Sequence, residues 1–365
     1  MMKSVHGGAG ARRLLASAAA LAVTVASISS APVPAFAQEE LNALVWCDHT
    51  DPALLEPFEK ANDVKVNFKV YEGTGAALSI LDQSRPGDWD VLVIDGVDVH
   101  RAIELDLLAE MPADRLPSAD IFPEVRMEAN NMKDGKTYAV TEKFGYNTIS
   151  YDKTKVDPED MQDLSVMWSE KYKGRVAIYD YYLPVIGLVG LGLGKKTAEL
   201  SEADMPAIKE KLAAMRAVSK QVSDVVSSQT ALATGEVDIL VGGGEWLTAG
   251  LSTDKPNLDW TIPEQGAVRW AQSIGVMKDS SKQELALKFV QYILSPEGQA
   301  RLATSSCYWA MPANSKAGAH LTEAQKTALR FDDQAEYLKK TQLYPIPSAE
   351  LDQQFQDAWT EMLQQ

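Results

Sequence analysis

The sequence predicts an α/β protein built as two halves, each a doubly wound sheet flanked by helices. Three observations lead there. From Leu41 to Leu107, short apolar strands alternate with amphipathic helices in the order β-α-β-α-β-α. The same alternation returns after Arg175 and runs on to Met277. No stretch rich in Pro, Gly or Ser lies between the two as a linker, so the halves are expected to share crossing strands and stay hinged.

Taken in order, Leu41 to Trp46 reads as the first strand, mostly apolar and ending in an aromatic ring. Asp51 is placed to cap the next helix, with Pro52 at its first position, where a missing N–H costs nothing. Leu54, Leu55, Phe58 and Ala61 then mark one helix face. Val64 to Val70 alternates as a second strand, and a helix is expected over about Gly75 to Gln83. "DVLVI", Asp90 to Ile94, is a buried strand, followed by a helix expected from about Val97 to Leu107.

In the second half "RVAIYD", Arg175 to Asp180, is a strand, and an apolar, Gly-rich helix is expected from Pro184 to Leu193. Ser201 to Ser219 reads as a long helix opened by a capping box of Ser201 and Asp204. "GEVDILVGGG", Gly235 to Gly244, is strand then turn, and Glu245 to Leu251 a helix. "RWAQSIGVM", Arg269 to Met277, is a strand. Helices are expected at Lys282 to Leu294, Pro296 to Thr304 and Ala349 to Leu363.

Residues 1–37 read as an export signal. Lys3, Arg12 and Arg13 form a positive head, Leu14 to Ile28 is apolar, and Ala35-Phe36-Ala37 puts small residues where a signal peptidase reads. Cleavage is expected before Gln38. The apolar stretch is too short and Ala-rich for a membrane span, and the export route, general or twin-arginine, stays open. Removing this segment takes three of 35 basic residues and none of 51 acidic ones, leaving 32 against 51, a formal charge of −19. Such a charge argues against nucleic acid and anionic membranes as partners. With 45% hydrophobic residues there is ample material for two α/β halves.

An enzyme is poorly supported. Beyond the leader only His49, His100 and His320 remain. G-x-S-x-G, H-E-x-x-H and C-x-x-C are absent, and Gly242-Gly243-Gly244 lacks the Lys and Ser/Thr of a P-loop. No metal or cofactor is expected, and Asp98 with His100 reads as a solvated pair. Two cysteines, Cys47 and Cys307, in a chain bound for an oxidising compartment leave two readings: buried thiols or one long-range disulfide.

"LNALVWCDHTDPALLEPFEKAN", "GDWDVLVIDG", "DGKTYAVTEKFGYNTISYD", "MWSEKYKGRVAIYD", "TGEVDILVGGG" and "LALKFVQYILSPEGQARLA" occur in one order along the chain. Together they resemble the periplasmic solute-binding proteins of ABC importers, in the branch of the spermidine/putrescine-binding proteins. The resemblance implies the type II two-lobed periplasmic-binding fold, a monomer that clasps a small solute in an interlobe cleft and presents it to a membrane permease. It implies lobes of 38–146 plus 272–316 and of 147–271 plus 317–365. It also brings Cys47 and Cys307 onto the first lobe near the cleft, which leaves both cysteine readings open.

The ligand follows from comparing positions. Trp46, Trp270 and either Tyr308 or Trp309 fall where polyamine-binding relatives carry cleft aromatics, with Tyr181 and Tyr182 as further walls. The acidic grips differ. Tyr181 and Pro184 stand where acids hold an amine, Gln272 replaces an acid, and Asp95 replaces a Ser. The glycines around Gly243 occupy a turn that usually carries a tryptophan, and are expected to let backbone approach the ligand. Lys143 sits beside Phe144, and Arg269 beside Trp270. Lost carboxylates disfavour a di- or trication, and new cations suit a carboxylate. The expected solute is therefore a zwitterionic amine such as an amino acid, ω-amino acid or opine. Asp48, Asp95 and Glu245 are candidates for its ammonium, and Lys143 or Arg269 for its anionic end, unless these two lie in a solvated rim or an interlobe ion pair. Polyamine binding is one alternative, and ferric iron held by Tyr181, Tyr182 and His49 is another.

Overall fold

The computed structural model describes residues 38–365, which form one compact unit. The expected leader and its cleavage site lie outside the described residues. Eight strands carry the main sheet: β1 (Glu39–Val45), β2 (Val64–Val70), β3 (Val91–Asp95), β4 (Val140–Asp152), β5 (Val176–Tyr179), β6 (Ser219–Ser223), β7 (Ile239–Gly243) and β8 (Ala267–Val276). Across the sheet their order is β2-β1-β3-β8-β4-β7-β5-β6, and three shorter strands attach to β4 and β8.

Parallel pairing at both ends flanks an antiparallel centre. β1 pairs with β2 and β3, and β5 with β6 and β7, all in parallel. β8 runs antiparallel to β3 and β4, and β4 antiparallel to β7. All 13 residues of β4 are buried, which fits its Val, Thr, Phe, Tyr and Ile content. Crossing strands are expected between the halves, but local pattern does not mark the bounds of this one. Its polar residues, from Thr141 to Asp152, masked the pattern because they are satisfied inside the protein instead of marking a solvent face.

Two apolar cores result. One gathers Leu41, Leu44, Leu54, Phe58, Val91, Phe144 and Phe289. The other gathers Ile149, Ile178, Ile186, Leu188, Ile208, Val241 and Phe355. Leu321, Leu329 and Leu338, expected with the second half, pack into the first core, whereas Leu351 to Met362 pack into the second.

Local chemistry sets the element ends. Asp51 accepts from Ala53 N at 2.8 Å, and Pro52 opens the helix Pro52–Asn62. The Ser201/Asp204 box is present, but it closes a 3-10 turn ahead of the helix Met205–Val218. The helix expected from Val97 is shorter, a 3-10 turn at Gly96–Asp98 followed by Val99–Glu104. The helix Tyr182–Gly192 is apolar all round and is accordingly buried from Pro184 to Leu191. A helix at Val225–Thr234, capped by Asp224, was not anticipated. Cys47 and Cys307 are joined as a disulfide with Cα atoms 6.0 Å apart. None of the helices among the described residues is long and apolar enough to cross a membrane.

Candidate functional site

The carboxyl ends of β1, β3 and β5 converge with the turn after β7, where open α/β sheets place their ligands. A narrow slot opens there. Trp46 and Cys47 leave β1 to form one wall, Asp95 ends β3, and Tyr179 ends β5. Trp270 and Gln272 project from β8 and Asn147 from β4.

Seven of its thirteen lining residues are aromatic. Tyr308, Trp246, Tyr179, Tyr181 and Tyr344 form one run, each ring edge-on to the next, with centroids 6.1, 5.1, 6.1 and 5.9 Å apart. Such contacts fix ring planes and present faces and edges to a guest.

The charged lining groups are carboxylates. Asp95 accepts from Thr74 Oγ1 at 3.4 Å, Tyr181 OH at 3.3 Å and Gln272 Nε2 at 3.4 Å. Burial, and then the nearby Asp98, push its carboxyl up to about 7. Burial also raises Glu72, with Asp224 adding to the effect. Among the described residues no Lys, Arg or His lines the slot. Asn147 is satisfied by Gly242 O at 2.9 Å and Tyr344 OH at 3.0 Å. Trp246 Nε1 and Gln272 Oε1 are buried without a partner.

Of the residues expected from sequence, the slot brings together Trp46, Asp95, Tyr181, Trp270, Gln272 and Tyr308. The others lie elsewhere. Lys143 is fully buried behind Tyr308, paired with Asp48 and donating to Tyr308 OH at 3.1 Å. Arg269 turns away, donating to Leu338 O at 3.4 Å and Thr341 Oγ1 at 3.5 Å. The cations expected to hold an anionic end thus do not face the slot. Strand alternation explains Arg269, because its neighbour Trp270 takes the slot side.

Asp48 and Glu245 do not line it either. Burial works against ionised Asp48, but Lys143 and His49 outweigh it and hold the carboxyl below its usual range. Glu245 begins the helix Glu245–Ser252 and accepts from Tyr146 N at 3.2 Å, and burial pushes it up to about 8. Gly145 makes room for it, since a Cβ there would lie 2.1 Å from Glu245 Oε1 and 2.5 Å from Trp270. A Cβ on Gly243 would lie 2.5 Å from Ser150 Oγ. That glycine therefore serves the packing of β7 on β4 and not a ligand's approach. Phe144 packs edge-on to Phe122 in the first core, and Trp309 donates its backbone N–H to Trp246 O at 3.2 Å.

The three ferric candidates face different partners. Tyr181 donates to Asp95, and Tyr182 to Asp352 Oδ1 at 2.8 Å. His49 lies between Asp48 at 3.0 Å and Glu142 at 2.9 Å. Burial works against its cation, yet Glu142 and Asp48 raise its pKa, and each ring nitrogen faces a carboxylate oxygen.

Six lining residues besides Cys47 were missed: Glu72, Asn147, Tyr179, Val225, Trp246 and Tyr344. Two had a readable signal. Tyr179 shares strand parity with Tyr181, and Trp246 stands two residues past the glycines that seemed to replace a tryptophan.

The sequence profile of a family described as bacterial extracellular solute-binding protein matches residues 53–330. A putrescine/agmatine-binding protein of Pseudomonas aeruginosa is 26% identical over 340 residues, 86% of this chain and 89% of that one. Among solved structures, a spermidine/putrescine ABC transporter protein from Listeria monocytogenes superposes with a TM-score of 0.77 at 20% identity, covering 89% of this chain and 99% of its own. A protein solved as the Atu4243-GABA receptor gives a TM-score of 0.69 at 18% identity, covering 89% and 97%. The fold is that of two-lobed periplasmic binding proteins, and the matching family is one of solute-binding proteins, not enzymes.

Proposed function

The chain belongs to the bacterial extracellular solute-binding protein family, and we propose that it captures a small organic amine for an ABC importer. One observation carries this reading: a slot walled by seven aromatic rings whose charged lining groups are Asp95 and Glu72. An ammonium entering it meets ring faces for cation–π contact and a carboxylate that ionises to receive it. Methylenes would lie along the rings. Lys143, screened by Tyr308, and Arg269, turned away, move the reading from a zwitterion to a cation, and the putrescine/agmatine-binding relative supports that shift.

Trp246 Nε1 favours a second reading. It is a buried donor without a partner, and it suits an amine that also carries an acceptor, such as an ω-amino acid. In either case the hinge would lie where β4 and β8 cross between the cores. Closure around the solute would shift an open–closed equilibrium, and the closed monomer would dock on the permease. Export, with cleavage before Gln38, would put it in the periplasm.

Calorimetry with putrescine, agmatine, 4-aminobutyrate and leucine tests the proposal. Micromolar binding of the diamines supports a cation site, and binding of 4-aminobutyrate alone supports the second reading. Binding of leucine alone, or of none of the four, overturns the amine reading.

A further inference from the structure

Behind the slot lies a cluster of four fully buried ionisable side chains that touches no solvent: Asp48, His49, Glu142 and Lys143. Asp48 and His49 follow β1, while Glu142 and Lys143 are adjacent on β4. The contacts form a closed circuit. Asp48 bridges His49 at 3.0 Å and Lys143, His49 reaches Glu142 at 2.9 Å, and Lys143 lies 3.8 Å from Glu142. With His49 protonated the cluster is neutral, two positive charges against two negative.

Its one direct hydrogen bond to a slot-lining side chain is at Tyr308. Lys143 Nζ donates to the phenol oxygen at 3.1 Å and sits 5.1 Å from the ring centroid. Tyr308 lies on the loop after the helix Pro296–Ala303, with no secondary structure of its own to fix it. Two other ties hold that loop to the same place. Ser305 Oγ donates to Asp48 O at 2.8 Å, and the disulfide joins Cys47 to Cys307. A lysine has only donors to offer, so the phenol oxygen is engaged from behind and Tyr308 turns its ring toward the guest.

We propose that Lys143, held by Asp48, is a positioning residue of the solute site: it locks the Tyr308 ring as a wall of the slot. Lys143 acts through Tyr308, without touching solute. A buried Lys–Asp pair is weak evidence for stability, and fixing one arrangement is the use assigned to it here. The ligand-binding half of the test rests on the amine reading above, and the spectroscopic half does not.

The test uses the mature chain with 3-fluorotyrosine incorporated at position 308, in the wild type and in Asp48→Asn/Lys143→Met. The double variant removes both charges and so avoids stranding a buried carboxylate. In the unliganded wild type one narrow ¹⁹F resonance is expected, and in the double variant a broadened or split one. Affinity for putrescine and 4-aminobutyrate should fall about tenfold in the double variant and about equally in Tyr308→Phe. Combining all three substitutions should add no further loss. An unchanged ¹⁹F resonance, or losses that add, overturns the proposal. If the wild type binds neither probe while the resonance still broadens, the amine reading fails and the positioning role stands. If the double variant does not fold, Tyr308→Phe decides: wild-type affinity overturns the proposal, and a tenfold loss supports it.

Discussion

Gln272 stands opposite Asp95 across the antiparallel pair of β8 and β3, and its Nε2 donates to Asp95 Oδ1 at 3.4 Å. Thr74 and Tyr181 supply the other two donors. All three are neutral. They orient the carboxylate without cancelling its charge, so an ionised Asp95 has no cation among its hydrogen-bond partners.

Asp95→Asn should therefore separate binding from stability. Loss of the carboxylate should lower affinity for a cationic amine at least about 100-fold, read by calorimetry. The unliganded protein should become more stable. Burial raises the folded pKa of Asp95 to about 7, against about 3.9 for an aspartate free in water. The folded state therefore binds more protons between these values, and stability falls as pH rises from one to the other. Above pH 7 the penalty is fully present, up to about 4 kcal/mol, and Asp95→Asn should relieve much of it in thermal melts at pH 8.

Binding should follow the same group in the opposite direction. A cation favours ionised Asp95, so affinity should be level above about pH 7 and fall by up to about tenfold per unit below it. Binding at pH 7 should release about half a proton, measured as the dependence of calorimetric enthalpy on buffer ionisation enthalpy. No proton release would show that Asp95 does not meet the ligand's charge.

Trp270→Ala should weaken amine binding by about 10- to 100-fold, since it removes both a ring face and buried apolar contact. The fold should survive, because Trp270 faces the slot. Tryptophan fluorescence should respond to solute in the wild type and respond less in the variant.

The disulfide closes a separation of 260 residues. On the chain-entropy account, Cys47→Ser/Cys307→Ser should cost up to about 5 kcal/mol, seen as a lower melting temperature. Thiol titration of denatured, unreduced wild type should find no reactive group.

What was legible in the sequence was local. Asp51 and Pro52 announce their helix by adjacent chemistry, and Trp46 and Asp95 announce the slot because they end strands. What was not legible was direction and return. Arg269 is expected in the cleft because it adjoins Trp270, yet adjacent residues on a strand face opposite ways, and Lys143 is kept from the slot by Tyr308, which stands in front of it. Tyr344 joins the wall because Thr341–Leu343 comes back to pair with β8 from far along the chain, which no local pattern records.

The 13-residue span Val140–Asp152 lies among the contacts of both cores and is bonded to β8 and β7 along its two edges. Its amide protons should be the last to exchange with heavy water, since freeing them means opening the whole molecule at once. A cut within this span would yield two fragments that must find each other to fold at all. Residues 38–365 should therefore unfold as one cooperative body, with neither half stable without the other.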